Sequence, residues 1–186
     1  MVDEPMRRKV FISHYKGDRK AVDAFIKKWT DEQRVFIAKA LGTFDNEDFI
    51  NSTNTDYVMS QIRKKYIGDS TVTIVLIGEC THSRRYVDWE IKASLRQGED
   101  AKPNGLLGIL VNADAERAHL PERFKANWDS DNSKYARYHR TPQSASELRS
   151  WIEDAFAART KRANLIQNSQ EMWGNNHECK VHGVTH

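Results

Sequence analysis

A single glutamate, Glu90, is the residue best placed for chemistry in this 186-residue chain. It belongs to the segment THSRRYVDWEIKASLRQG (81–98), whose apolar residues recur at helical spacing. On a helical wheel Val87, Ile91 and Leu95 form the packed stripe, and Glu90 lies roughly 60° to one side of it. This position predicts a half-buried carboxylate that can reach a cleft. The alternative is that Glu90 only rims a surface helix, as most helical glutamates do.

The composition of the chain predicts one folded domain of ordinary size. Hydrophobic residues make up 39% and charged residues 30%, with enough aromatic residues to build a core. The net charge of +3 comes from 29 basic and 26 acidic residues that are interspersed, which is not typical of a nucleic-acid binder. No apolar stretch has the length of a signal peptide or a membrane span. We therefore expect a cytoplasmic protein without nucleic-acid or membrane partners.

The cysteines and histidines do not follow a recognised metal-binding pattern. Cys80 and Cys179 are the only cysteines and lie far apart in the sequence, so we predict no disulfide framework and no four-cysteine zinc site. Cys80 fits a small packing residue better than a nucleophile. The C-terminal segment adds His177, His182 and His186 without a recognised zinc spacing, so we expect no functional metal site.

Apolar runs and helical stripes alternate along the chain about five times. Strand-like runs are found at 9–13, 35–44, 71–77, 106–111 and 135–139. Helical patterns follow most of these runs, and Asp18 is placed to cap the first helix. The runs at 71–77 and 106–111 lack polar alternation, which indicates strands covered on both faces.

These patterns predict an α/β fold with a doubly wound, mainly parallel five-stranded sheet flanked by helices. We assign residues 1–162 to this domain. Residues 163–186 are polar and lack periodicity, and we expect them to form a poorly ordered tail. Ligands of such sheets bind beyond the carboxyl ends of the strands, where the loops 14–17, 45–48 and 78–83 should meet.

Four ordered sequence blocks carry a resemblance to a known family. They are FISHYKGD (11–18), GTFDNED (42–48), STVTIVLIG (70–78) and RRYVDWEIKAS (84–94). Together they resemble the Toll/interleukin-1 receptor (TIR) domain, specifically its prokaryotic ThsB branch from the Thoeris antiphage system, which has a flavodoxin-like topology. The similarity extends over about residues 9–111. TIR enzymes usually carry Trp-x-x-x-Glu, whereas this chain has Tyr86 one turn before Glu90.

The resemblance implies that the chain consumes NAD+ as a substrate and uses no cofactor. Enzymes of this kind cleave the bond between nicotinamide and ribose, and members similar to ThsB make a cyclic or conjugated ADP-ribose signal for a separate effector protein. The chemistry is compatible with one carboxylate, because nicotinamide leaves as a neutral group and needs no general acid. Glu90 is accordingly the expected catalytic residue, and its loss should cost about 100-fold or more in rate.

The resemblance also implies a set of residues that line the nucleotide cleft. These candidate substrate-binding residues are Phe11, Ser13, His14, Tyr15, Lys16, Asp45, Arg84 and Tyr86. Several have simpler explanations, since Phe11 suits the core, Lys16 suits a solvated loop and Asp45 suits a turn. Neighbouring helical residues diverge by about 100°, so only one of Arg84 and Arg85 can face the cleft, and we favour Arg84.

Other functions also have to be considered. The main rival is a non-catalytic TIR-like adaptor that self-associates or assembles with other domains, with Glu90 in a structural role. A phosphoacceptor receiver shares the sheet topology, but the first and third predicted strands do not end in the required aspartates. A dinucleotide-binding dehydrogenase is disfavoured because no G-x-G-x-x-G follows the first strand.

Overall fold

A computed structural model describes residues 6–41, 52–98, 102–111 and 117–185. The described chain forms a five-stranded sheet with the order β2-β1-β3-β4-β5, and every strand pair is parallel. The strands are β1 (Lys9–His14), β2 (Ile37–Leu41), β3 (Val72–Ile77), β4 (Gly105–Leu110) and β5 (Arg137–His139). This arrangement confirms the predicted fold class. The predicted end of β2 near residue 44 lies outside the described residues.

Within the described ranges, five α-helices cover the sheet. They are α1 (Arg19–Ile26), α2 (Thr55–Ile62), α3 (Arg85–Ser94), α4 (Glu122–Ala126) and α5 (Ala145–Lys161). Helices α1 and α2 continue as short π-helical segments, Lys27–Glu32 and Arg63–Ile67. Gly68 follows the second of these with a φ of 53°, a left-handed conformation that glycine adopts without steric cost.

The helices pack on both faces of the sheet, as a doubly wound fold requires. One cluster of buried side chains joins α1 and α5 to the sheet, through residues such as Phe25 and Ile152. Two further clusters join α2, α3 and α4 to the sheet. All residues of β3 and β4 are buried, which confirms that these continuous apolar runs are central strands.

Helix α5 begins with a side-chain cap. The Ser144 hydroxyl accepts a hydrogen bond from the Glu147 backbone N–H at 3.1 Å. The Glu147 carboxylate accepts a hydrogen bond from the backbone N–H of Gln143 at 2.7 Å, one residue before the position that a standard capping box uses. The first contact satisfies a backbone donor that the first turn of a helix leaves without a partner, and the second fixes the chain just before the helix.

Residues 163–185, which we call the C-terminal strap, do not form the poorly ordered tail that we expected. The strap lies along α3 and α4, and its main-chain oxygens accept hydrogen bonds from their side chains. Met172 packs against the apolar cluster between α2 and α3, and Cys179 is fully buried. The strap is ordered through these contacts although its one helical element is a short 3-10 turn, Ala163–Leu165.

The prediction about the cysteines was also wrong. Cys80 and Cys179, 99 residues apart, form a disulfide with a Cα–Cα distance of 5.2 Å. The bond connects the end of the strap to the loop between β3 and α3. Because sequence separation says nothing about distance in a fold, the pairing follows only from the path of the strap. None of the helices in the described ranges combines the length and the apolar character needed to cross a membrane.

Candidate active site

The candidate site lies where the direction of chain winding reverses. Strand β1 pairs with β2 on one side and with β3 on the other, so the connections from β1 and β3 leave toward opposite faces of the sheet. In doubly wound sheets, ligands bind in the crevice outside the carboxyl ends of strands at such a point. Ser13 and His14 end β1, and the loop after β3 turns through Thr81–Ser83 into α3, which carries Glu90.

The Glu90 side chain is inside the protein rather than half-buried, with a relative exposure of only 1%. Burial raises the pKa of Glu90 to about 8, and the nearby Ser13 hydroxyl opposes part of this rise. The contact between the two side chains is weak, because neither the Ser13 hydroxyl nor one Glu90 oxygen has a partner with full hydrogen-bond geometry within the described ranges. Glu90 is therefore mostly protonated at neutral pH in the free protein.

Residues of β1 divide between the two faces of the sheet. Phe11 and Ser13 share one face, as strand alternation dictates, and Phe11 packs with Trp89 and Ala93 of α3. His14 points the other way, toward α1, where burial and the charge of Arg19 lower its pKa. The structure thus brings Phe11 and Ser13 to the Glu90 side and places His14 behind the sheet end.

Arg84 and Tyr15 form a second part of the site. The Arg84 guanidinium lies 4.1 Å from the centre of the Tyr15 ring, a cation–π distance, and only 5% of the residue is exposed. Its Nε donates to the Cys80 carbonyl at 3.3 Å. Arg85 instead donates to the Gly174 carbonyl of the C-terminal strap at 2.9 Å. The two arginines diverge for a different reason from the one that we expected, because Arg84 is extended and only Arg85 belongs to α3.

Asp18 does not make the contact that we predicted for it. It occupies the residue before α1, but its carboxylate makes no capping hydrogen bond. The carboxylate instead accepts a long hydrogen bond of 3.4 Å from the Thr81 hydroxyl. A side chain at Gly78 would approach Asp18 Oδ2 to 2.3 Å, so glycine is needed for the close approach of the β1 and β3 loops. The Thr81 hydroxyl also accepts from the Gly78 N–H at 2.9 Å.

Tyr86 and Lys16 are at the margin of this arrangement. Tyr86 is partly exposed, one turn before Glu90, and makes an edge-to-face contact with Trp89 at 5.7 Å. Lys16 is exposed in the 3-10 turn after β1. Asp45 lies outside the described residues. Sequence reasoning missed Thr81 and Asp18 as site residues. The only signal for them was their location, since Thr81 lies in the predicted loop 78–83 and Asp18 directly follows the predicted loop 14–17.

A buried ion pair supports the outer side of α3. Arg123 of α4 donates from Nε to Asp88 Oδ1 at 2.8 Å and from Nη2 to Asp88 Oδ2 at 3.2 Å. The Trp173 backbone N–H of the strap donates to the same carboxylate at 3.1 Å. Trp89 donates from its indole nitrogen to the Trp173 carbonyl at 2.7 Å. The helix that carries Glu90 is thus fixed by the sheet, by α2 and by the strap.

Comparison with known families agrees with this geometry. A family model described as the TIR-like domain of the Thoeris protein ThsB matches residues 11–116. The match extends from β1 past β4 and contains Glu90, Ser13 and Arg84. It covers more than half of the 186 residues, in nearly the same range as the resemblance in the sequence blocks. A search of curated proteins found no match. The chain therefore belongs to the ThsB family of TIR-like domain proteins from Thoeris defence.

Proposed function

We propose that this chain is a cytoplasmic NAD+-consuming enzyme of antiphage defence, with Glu90 as its catalytic residue. It would cleave the nicotinamide–ribose bond and release a cyclic or conjugated ADP-ribose signal that activates a separate effector. Membership of the ThsB family assigns a TIR-like defence role. The enzymatic activity goes one step beyond that role.

The observation that carries the proposal is the environment of Glu90. A carboxyl group at 1% exposure, with no charged partner in the part of the chain that the structure describes, is costly. Burial of a charge or of an incompletely bonded polar group opposes folding. Perturbed carboxyl groups of this kind concentrate at functional sites. Glu90 also lies at the reversal point of the sheet, where doubly wound folds bind their ligands.

The charge of the substrate explains how a protonated carboxyl can serve this reaction. The nicotinamide of NAD+ is cationic, and positive charge moves to the ribose as the glycosidic bond breaks. A nearby cation favours the ionised form of a carboxyl, so bound substrate should lower the Glu90 pKa from its free value of about 8. The resulting anion stabilises the oxocarbenium-like transition state in a site with little water.

Other residues would position the dinucleotide around that anion. Ser13 lies beside Glu90 and can hold a ribose hydroxyl or orient the carboxylate. The Tyr15–Arg84 pair offers a positive charge and an aromatic face, which suit diphosphate and a base, respectively. Lys16 supplies a further positive charge at the rim, and Asp45 is proposed to bind a ribose hydroxyl.

The direct test measures products of NAD+. The purified chain is incubated with NAD+, with and without lysate from phage-infected cells, and nicotinamide and cyclic products are separated by chromatography. We expect Glu90→Gln to reduce product formation by about 100-fold or more, the effect of losing one electrostatic contact to the transition state. Glu122→Gln is the matched control, because Glu122 is exposed at the start of α4.

The outcomes separate the enzyme from the rival adaptor. Product that appears only with infected lysate, and only when Glu90 is intact, supports an enzyme that needs an infection trigger. Unchanged turnover in Glu90→Gln would refute the catalytic assignment. Nicotinamide release that stays at background in both arms favours an adaptor that acts by assembly.

A further inference from the structure

Three potential metal ligands meet where the C-terminal strap joins the loop before α3. The Cys80 and Cys179 sulfurs and one ring nitrogen of His182 all lie within 4.8 Å of one another. The cysteines are buried, whereas the His182 side chain is 46% exposed. The cluster is therefore anchored in the protein and open to ions from solvent on the His182 side.

The backbone fixes the histidine relative to its neighbouring cysteine. Cys179 and His182 have the spacing C-x-x-H in a tight turn, in which the backbone N–H groups of His182 and Gly183 donate to the Cys179 carbonyl at 3.2 and 2.7 Å. The Cys179 N–H donates to the Val184 carbonyl at 2.8 Å and closes the turn as a bridge. Such preorganisation lowers the cost of bringing ligands together around an ion.

Glu79 provides an independent feature of a metal site. Its Oε2 lies 2.7 Å from His182 Nε2, and its Oε1 lies 3.3 Å from Arg117 Nη1. Histidines that bind metals almost always donate their other ring N–H to a carboxylate or carbonyl, which fixes the ring and its tautomer. With Nδ1 of His182 as the metal ligand, Glu79 is in position to do this at Nε2, while Arg117 holds the carboxylate in turn.

We propose that Cys80, Cys179 and His182 bind one Zn²⁺ ion when the disulfide is reduced, with Glu79 as the group that orients His182. Two thiolates and one imidazole are a common zinc ligand set, and solvent can occupy the fourth tetrahedral position. The two thiolate charges neutralise the ion. Sulfur ligands of one zinc ion are about 3.7 Å apart, given Zn–S bonds of about 2.3 Å, so the ion and the disulfide exclude each other.

The exchange between the two states is chemically balanced. A dithiol reductant transfers two electrons and two protons to the Cys80–Cys179 bond, which opens to two thiols, and the reductant closes to its own disulfide. Zn²⁺ then displaces the two thiol protons, which pass to solvent. The strap is linked to the loop before α3 in both states, by a covalent bond in one and by the ion in the other.

Cobalt provides a direct test of the site in the full-length chain. The protein is reduced with dithiothreitol under argon, freed of the reductant and titrated with Co²⁺, a spectroscopic substitute for zinc. We expect one Co²⁺ per chain, with thiolate-to-cobalt charge-transfer absorption and the visible bands of tetrahedral Co²⁺. Added Zn²⁺ should abolish both, because it binds such a site more tightly than Co²⁺ does.

Variants distinguish this site from binding by surface histidines. Cys80→Ser and Cys179→Ser should each remove most of the charge-transfer band, and His182→Ala should weaken binding by about 100-fold or more. Glu79→Gln should weaken binding by about 10-fold, the lower end for loss of an orienting carboxylate. His177→Ala is the control and should bind normally, since His177 stacks on Trp173 in the same strap, outside the cluster.

Two results would overturn the proposal. One is a reduced protein that binds Co²⁺ without charge-transfer absorption, which would mean that histidines bind the ion without the thiolates. The other is normal binding in His182→Ala and Glu79→Gln. Circular dichroism of each variant checks the fold, and these last two substitutions change partly exposed side chains, which keeps the test independent of core stability.

Discussion

Helix α3 carries two buried carboxyl groups, Asp88 and Glu90, whose surroundings are opposite. Asp88 is 3% exposed and accepts hydrogen bonds from Nε and Nη2 of Arg123 and from the Trp173 backbone N–H. Glu90 is 1% exposed, has no charged partner among the described residues and keeps one oxygen without a hydrogen bond. Because the two residues are two positions apart on the helix, Asp88 faces the strap and Glu90 faces the end of β1.

The difference indicates what each carboxylate contributes. Asp88 connects α3, α4 and the C-terminal strap, and its charge is balanced by Arg123, so it is a structural group. Glu90 lies in an environment that opposes its ionisation, and a bound cation would favour the ionised form. Burial alone therefore does not identify a catalytic carboxylate, whereas burial without compensation does point to one.

The largest effect should appear in the pH dependence of stability. The Glu90 pKa rises from its ordinary value near 4.5 to about 8 on folding, so the folded state binds a proton that the unfolded state releases. Wild-type stability should fall as pH increases from about 4 to 9, by on the order of 5 kcal/mol. Glu90→Gln has no such proton. In urea unfolding, the free energy of unfolding of the variant should therefore increase relative to that of wild type as the pH rises across this range.

The control for this experiment is Glu122→Gln, because Glu122 is exposed. Its stability should remain parallel to that of wild type at every pH. A constant difference between Glu90→Gln and wild type from pH 5 to 8 would mean that Glu90 is ionised in the folded protein, and the comparison with Asp88 would lose its basis.

The second effect is the loss of the balanced pair. Asp88→Asn leaves the Arg123 guanidinium buried without its counter-charge, and breaking a buried pair in this way costs about 3 to 5 kcal/mol. The free energy of unfolding at pH 7, from urea titration, should decrease by that amount. At the same pH Glu90→Gln should change stability in the opposite direction. An Asp88→Asn protein as stable as wild type would show that the strap carbonyls alone hold Arg123.

Sequence patterns predicted most of the fold because the central elements bury side chains at regular spacing. The apolar runs of β3 and β4 correspond to buried positions in the structure. So do Val87 and Ile91 of α3 and Leu95, the residue just after it. Glu90 became a candidate from its place beside that stripe and from the family resemblance. Its complete burial was not predicted, since a wheel describes one helix and not what covers it.

The C-terminal strap could not be predicted for a physical reason. It is held largely through its backbone oxygens, at residues such as Gln170, Glu171 and Trp173, which accept hydrogen bonds from side chains of α3 and α4. Every residue has a carbonyl, so such binding leaves no periodicity in the sequence. The same is true of Asp18, whose position before a helix suggested a cap although its carboxylate turns toward Thr81.

The third effect concerns the activity proposed for Glu90. If the anion is the active form, kcat/KM for NAD+ should rise with pH and level off above about 8, with about a 50-fold increase between pH 6 and 8. The kcat profile should shift to lower pH, because bound substrate favours the anion. The nearby histidines cannot cause a step at pH 8, since burial lowers the pKa of His14 and lowers that of His82 to about 4. A flat profile from pH 6 to 8 would argue against an ionised Glu90 in the reaction.

The smallest effect tests whether the outer face of α3 depends on many weak contacts. Lys92 donates from Nζ to the Gln170 carbonyl at 2.6 Å and to the Asn168 carbonyl at 3.3 Å. Lys92→Met keeps the aliphatic stem but removes both bonds, at a cost of about 1 kcal/mol because the carbonyls can turn to water. Hydrogen exchange of strap amides should accelerate about fivefold, while β3 amides, such as that of Val75, exchange at their wild-type rate. Equal acceleration in the strap and in β3 would mean that the strap unfolds only together with the sheet, and that Asp88 and Arg123 stabilise the whole domain rather than its outer layer.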